Sequence, residues 1–259
     1  MSNRPIGVFD SGVGGLSVFS QLVKFLPDEN YIYFGDTINL PYGSKTQDEL
    51  VEITRKIFDF FKSKNVKAVV MACNTTSALT YDILKPYYDF KIYPIVQTVA
   101  KEIAIQGHNR IGVFATQGTI NSHAYKKEIA KYSNAKVYEI ACPEWVNIVE
   151  NELQEDAQSI ENIKTYLQEM LKNNPDKIIL GCTHYPYLIS VLSKFADEKL
   201  FINPAKSFAE SIFEDLEKSN LLCNKMLHEH KFYVTSNPKQ FANASKLFYK
   251  VQEITEIKI

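Results

Sequence analysis

Two of the four cysteines in this 259-residue chain occur in nearly the same setting. Ala72-Cys73-Asn74-Thr75 ends one β-branched run, and Gly181-Cys182-Thr183-His184 ends another. A cysteine thiol has an ordinary pKa of about 8.5, and nearby cations or helix N-termini lower it readily. A pair of thiols can therefore serve as base and acid near neutral pH. The reaction that needs such a pair is inversion at an α-carbon: one group removes a proton from one face, and a second returns a proton to the other. A single base cannot easily reach both faces, whereas two thiols can exchange roles with direction.

Other polar residues surround this pair in the sequence. Asp10 follows the first apolar run and could hold an amino group or manage a proton. His184 stands two residues after Cys182 and is a natural proton carrier near neutral pH. Asn74, Thr75 and Thr183 add short donors beside the thiols. The turn Asp10-Ser11-Gly12-Val13-Gly14-Gly15 lacks both the dinucleotide-binding glycine pattern and the phosphate-binding lysine. It reads as a tight turn that lets a small substrate approach the backbone. Cys142 and Cys223 are expected to be buried, inert thiols.

These residues need elements to position them. Apolar runs at Ile6–Phe9, Tyr31–Phe34, Lys67–Ala72, Ile92–Val96, Ile111–Phe114, Val137–Ala141, Lys177–Leu180 and Phe232–Thr235 read as strands. Helical spacing falls between them, over Leu16–Leu26, Thr46–Lys64, Thr75–Leu84, a short stretch ending near Gly107, and Thr119–Tyr132. It continues over Glu144–Glu152, Ala157–Leu171, a stretch after Pro186, Ser207–Lys218 and Gln240–Tyr249. Thr46 and Glu49 fit a capping box. Strands alternating with helices predict an α/β fold with mainly parallel sheets.

The chain also repeats. Ile6-Gly7-Val8-Phe9-Asp10-Ser11 matches Ile111-Gly112-Val113-Phe114-Ala115-Thr116, and the run ending in Cys73 matches the run ending in Cys182. A nearly constant offset across two motifs predicts two similar three-layer α/β domains. Ligands bind beyond the carboxyl ends of strands in such sheets, so pseudo-symmetric halves would place both cysteines in the cleft between them. Asp10 matches Ala115, so the two sides differ in detail.

A net charge of −1 with mixed signs excludes the basic excess of a nucleic-acid binder. No apolar run is long enough to cross a bilayer, and the first residues lack a signal-peptide pattern. A cytoplasmic protein acting on a small molecule is expected, with no nucleic-acid or membrane partner.

Taken together and in order, Phe9 to Ser17, Gly35-Asp36-Thr37 with Pro41-Tyr42-Gly43, Ala72 to Thr75, and Gly181 to Pro186 resemble the aspartate/glutamate racemase family, and its glutamate racemases most. The resemblance implies a racemase without cofactor or metal that supplies D-glutamate for peptidoglycan. It implies that Cys73 and Cys182 are the proton donors and acceptors. Asp10, Ser11, Tyr42, Gly43, Asn74, Thr75, Thr183 and His184 would line the substrate, Thr116 and Thr119 would hold a carboxylate, and Glu150 would orient His184. It further implies a homodimer, and a first domain of residues 1–97 with 208–259 around a second of 98–207. The family commonly has alanine at Thr76, leucine at Tyr187 and glycine at Ser236. An aspartate racemase, a cysteine hydrolase with His184 as base, a metal site of Cys73, Cys182 and His184, and a non-catalytic binding module remain alternatives at this level.

Overall fold

A computed structural model describes residues 2–223 and 229–259. Its ten strands form two sheets in which every pairing is parallel. The strands are β1 (Ile6–Asp10), β2 (Tyr31–Gly35), β3 (Ala68–Met71), β4 (Lys91–Pro94), β5 (Arg110–Ala115), β6 (Lys136–Ala141), β7 (Lys177–Gly181), β8 (Phe201–Ile202), β9 (His230–Val234) and β10 (Ile254–Glu256). The first sheet runs β10-β9-β2-β1-β3-β4 and the second β6-β5-β7-β8. The order β2-β1-β3-β4 is therefore repeated as β6-β5-β7-β8. The match that the sequence shows in two motifs extends to four strands, which makes the halves pseudo-symmetric.

Helices connect the strands: α1 (Leu16–Phe25), α2 (Gln47–Ser63), α3 (Asn74–Leu84), α4 (Ile95–Ile105), α5 (Gln117–Ser122), α6 (Ala124–Ile129), α7 (Trp145–Glu150), α8 (Ala157–Leu171), α9 (Ile189–Leu192), α10 (Pro204–Lys218) and α11 (Pro238–Ser245). The central strands β1, β2 and β3 are buried throughout, as helices on both faces of a sheet require. The capping box at α2 forms: Thr46 accepts from the Glu49 amide at 3.3 Å, and Glu49 accepts from the Thr46 amide at 2.8 Å. Among the described residues, no helix is long and apolar enough to cross a membrane.

Several elements depart from the periodicity. The expected strand Ile92–Val96 stops at Pro94, because Ile95 already starts α4. The expected helix Thr119–Tyr132 is two helices broken at His123, which adopts a left-handed backbone with φ of 53°. The stretch after Pro186 yields a 3-10 turn at Tyr185–Leu188 and only the four residues of α9. The helix expected over Gln240–Tyr249 ends at Ser245, which frees Phe248 to turn inward. Strands β8 and β10 span two and three residues, too short for an alternating or apolar run to announce them.

At the end of the first sheet far from the strand carboxyl ends, the Lys67 ammonium is fully buried. It donates to Glu29 at 2.8 Å, to the Ser2 carbonyl at 2.8 Å and to the Leu221 carbonyl at 2.7 Å. Glu29 also accepts from the Cys223 amide at 2.8 Å. One ion pair thus fastens the chain start, the entry to β2 and the segment after α10. Removing one member of such a pair strands a buried charge. Lys67→Met is expected to cost about 3–5 kcal/mol, and Lys67→Met/Glu29→Leu much less. Urea denaturation of both variants checks this.

Candidate active site

The two thiols arise at the carboxyl ends of equivalent strands. Cys73 follows β3 and is the N-cap of α3, with the extended backbone (φ −68°, ψ 118°) of a capping position. Cys182 directly follows β7. A helix begins directly after Cys73, whereas Cys182 leads only into the 3-10 turn. Both cysteines are buried, and the charge of one bears on the other. The fold therefore brings Cys73 and Cys182, from different sheets, close enough for one to bear on the other.

Their surroundings differ. The Cys182 Sγ lies 3.8 Å from His184 Nδ1, and His184 Nε2 lies 3.0 Å from Glu150 Oε1. Burial alone would push the His184 imidazolium down, but Cys182 and Glu150 outweigh it and raise His184 to about 10. The sulfur thus has a cation at hand. Cys73 has none. Burial and the carboxylate of Asp10 push its thiol up to about 12, against the lowering effect of the Thr76 amide and hydroxyl.

Asp10 lies between the two sides. Its Oδ2 accepts from the Gly15 amide at 2.5 Å and from the Thr183 hydroxyl, in the other half, at 3.4 Å. Burial raises its carboxyl to about 6, even though His184, the Gly15 and Ser11 amides and Thr183 all favour the anion. The glycines of the first turn are dictated by this crowding. A Cβ on Gly14 would fall 2.5 Å from Thr183 Oγ1 and 2.6 Å from His184 Nδ1. The Ser17 hydroxyl of α1 adds a 3.2 Å bond to the Thr183 carbonyl.

A second cluster closes the other flank of the cleft. The hydroxyls of Thr75 and Thr116 are 2.9 Å apart, and those of Thr116 and Thr119 are 3.1 Å apart. Gly43 packs on Thr116, to which a Cβ there would come within 3.3 Å. Asn74 accepts from the Tyr125 hydroxyl at 2.7 Å. Its Nδ2 and the Asp10 Oδ1 are buried without a hydrogen-bond partner, although buried polar groups are nearly always paired. Ser11 is partly exposed beside Asp10. Tyr42 donates its hydroxyl to Asp36 at 2.6 Å, so Gly43 is what this segment presents to Thr116.

Two contributors were assigned no role from the sequence. Asp36 is buried and accepts from Tyr42, from Asn39 Nδ2 at 2.8 Å and from the Thr235 hydroxyl at 2.8 Å. It fastens the Tyr42-Gly43 segment to the returning C-terminal part of the chain. Phe248 stands edge-on to His184, with ring centroids 5.7 Å apart at 83°. A carboxylate followed by Thr37 and Asn39 looks like any turn, and Phe248 lies in an element whose end the periodicity misplaced. Cys142 is buried as expected, and its carbonyl accepts from the Tyr185 hydroxyl at 2.6 Å. Cys223 corrects the expectation of burial: it is only half-buried, because it follows the end of α10 near the surface. Among the described residues no three His, Cys, Asp or Glu side chains converge as metal ligands.

The Asp/Glu/hydantoin racemase family model matches residues 6–212. The chain belongs to this family. It is 37% identical to the glutamate racemase of Thermoanaerobacter pseudethanolicus, over 100% of this chain and 99% of that one. Its fold matches the crystal structure of the Francisella tularensis glutamate racemase in complex with D-glutamate. The TM-score is 0.93 at 33% identity, covering 100% of this chain and 98% of that one. A glutamate racemase of Bacillus anthracis matches with a TM-score of 0.93 at 31% identity, covering 100% and 99%.

Two predictions come from the charges of this racemase-family cleft. The carboxyl of Asp10 sits at about 6 in the folded protein, above its ordinary 3.8. The stability this contributes is complete below pH 3.8 and is lost as pH rises through 6. At pH 7 the fold therefore carries the cost of a buried anion. Asp10→Asn should stabilise the protein at pH 7 by about 1–3 kcal/mol, should not stabilise it at pH 3.5, and should lower activity. Denaturant titration at the two pH values checks the sign. His184 is held up partly by Glu150. Glu150→Gln should move the alkaline limb of the pH–rate profile to lower pH, which steady-state rates from pH 6 to 11 would reveal.

Proposed function

We propose that this chain is a glutamate racemase that inverts the α-carbon by two-base proton transfer between Cys73 and Cys182. The observation that carries the reading is the pair of buried thiols at the ends of equivalent strands in two sheets of the same order. Such an arrangement presents one sulfur to each face of a bound carbon. The thiolate on one side takes the α-proton, and the thiol on the other returns a proton to the opposite face. The product leaves the pair in exchanged protonation states, ready for the reverse direction.

The unpartnered polar atoms fit an amino acid. Asp10 Oδ1 is an acceptor for the ammonium, and Asn74 Nδ2 is a donor for a carboxylate. The hydroxyls of Thr75, Thr116, Thr119 and Thr183, with Ser11 and the Tyr42-Gly43 segment, are donors and close backbone for the two carboxylates. His184, oriented by Glu150, supports charge and proton exchange at Cys182. Full-length likeness to glutamate racemases supports glutamate over aspartate. The D-glutamate would serve peptidoglycan synthesis.

The same reading divides the chain into residues 1–97 with 208–259 and residues 98–207. Membership of strands β9 and β10 in the first sheet supports this. It includes a cytoplasmic location, in keeping with the free thiols of Cys73, Cys142 and Cys182, and a homodimer, which rests on the family resemblance.

The test is incubation of the protein with D-glutamate in D2O, with chelator and without added cofactor. Optical rotation should decay while deuterium enters the α-carbon, and D-aspartate should turn over far more slowly. Cys73→Ser and Cys182→Ser should each lose overall racemisation by about a hundredfold or more, as expected for loss of a general acid or base. Full activity in either variant would favour a single-nucleophile hydrolase, and no exchange at all would leave a binding module.

A further inference from the structure

The residues around the two sulfurs are almost completely buried: Cys73 is 5% exposed, Cys182 8%, Asp10 1% and Thr75 3%. Glutamate therefore cannot reach the thiols unless the halves part. One flank of the cleft is built for that. Gly43, from the first half, and Gly118, from the second, meet directly over the Thr75–Thr116 hydroxyl contact. A Cβ on Gly118 would come within 3.2 Å of both the Gly43 carbonyl and Thr75 Cγ2. This seam is closed by backbone and van der Waals contact, and behind it the Thr75 hydroxyl meets those of Thr116 at 2.9 Å and Thr119 at 3.4 Å.

A groove of about 550 Å³ lies outside the same seam. Gly43 and Gly118 are among its lining residues, so it opens onto the contact that covers the threonines. Its walls come from both halves: Ser44, Lys45 and Gln47 on one side, Gln117, Asn121 and Lys127 on the other. Among the described residues that line it, the charged ones are Lys45 and Lys127. Lys127 is held by a 2.9 Å bond to the Ser122 carbonyl. Glu49 feels Lys45, but it is committed to the N-cap of α2 through the Thr46 amide and hydroxyl. A larger groove of about 1140 Å³ lies elsewhere, is not lined by Gly43 or Gly118, and mixes both signs of charge along its walls.

We propose that the groove between Lys45 and Lys127 is an electropositive vestibule that captures the dicarboxylate substrate before the Gly43–Gly118 seam opens. A substrate with two carboxylates and one ammonium carries net negative charge, and a mouth lined by cations concentrates it. The placement of the lysines on opposite walls lets them act on the substrate as the halves separate. The proposal rests on the glutamate racemase reading.

The experiment compares kcat and KM for D-glutamate across ionic strength in wild type, Lys45→Gln/Lys127→Gln, and Lys172→Gln/Lys218→Gln. The last pair removes the same charge from two exposed positions outside the groove. The vestibule pair should lose about three- to tenfold in kcat/KM at low salt, entering through KM, and the deficit should shrink as salt screens the field. The distant pair should match wild type. An undiminished kcat/KM in the vestibule pair, a loss carried by kcat, or an equal loss in the distant pair overturns the proposal. Absence of racemisation in wild type would instead overturn the reading beneath it, and the two failures are distinguishable in the same assay.

Discussion

Everything in this cleft answers to one constraint: a negative charge on sulfur must be tolerated away from water. An unpaired ion in a dry site is expensive, and proteins usually respond by shifting the proton rather than holding the charge. The two sides meet the constraint differently. Cys182 has His184 at 3.8 Å, and His184 has Glu150 at 3.0 Å, so a cation and its own counter-ion come with the fold. Cys73 has the amide and hydroxyl of Thr76, but burial and the carboxylate of Asp10 push it up to about 12. On the racemase reading the missing cation at Cys73 is the ammonium of the substrate itself. Held by Asp10, it would offset the carboxylate and the burial together. The thiolate on that side would then form only around a bound amino acid.

The scaffold can be understood from the same requirement. Two sheets of equal strand order put equivalent strand ends opposite each other, which is the cheapest way for one chain to place like groups on two sides of a carbon. Close approach of the halves then depends on missing side chains. Gly14 leaves room for Thr183 and His184, and Gly118 leaves room for Gly43 and Thr75. The returning C-terminal segment adds rigidity at a distance. Thr235 donates to Asp36, Asp36 holds Tyr42, and the Thr37 and Ser236 hydroxyl and backbone groups bond reciprocally at 2.7 and 2.9 Å. Ser236 joins this lock through its backbone, as a glycine would, and its hydroxyl adds a 3.1 Å contact to that of Thr37.

Much of this was legible before any coordinate, for physical reasons that differ by element. Strands buried on both faces must be apolar along their length, so β1, β2, β3, β5 and β7 stand out as runs. The α2 capping box is local chemistry within four residues and reads directly. The repeated settings of Cys73 and Cys182 gave the pseudo-symmetry, and the cleft does bring together Asp10, Asn74, Thr75, Thr183 and His184. What stayed hidden depends on distant partners. The left-handed backbone of His123 breaks a helix whose side chains keep helical spacing. The role of Asp36 requires Thr235, 199 residues away in sequence. Phe248 meets His184 only because α11 ends early, and β10 exists only because β9 offers it an edge.

The asymmetry at Asp10 and Ala115 has a thermodynamic boundary. L- and D-glutamate are mirror images with equal free energy in water, so the equilibrium constant between them is one. The values of kcat/KM in the two directions must therefore be equal, however unlike the two sides of the cleft. On the racemase reading Asp10 and His184 would trade binding against turnover within each direction, because Asp10 bears on Cys73 and His184 on Cys182. They cannot favour one enantiomer in the ratio. A cleft that is symmetric in its strands and asymmetric in its charges is thus fully compatible with racemisation. The chemistry demands a proton-transfer group on each face, and it leaves each face free to solve the problem of buried charge in its own way.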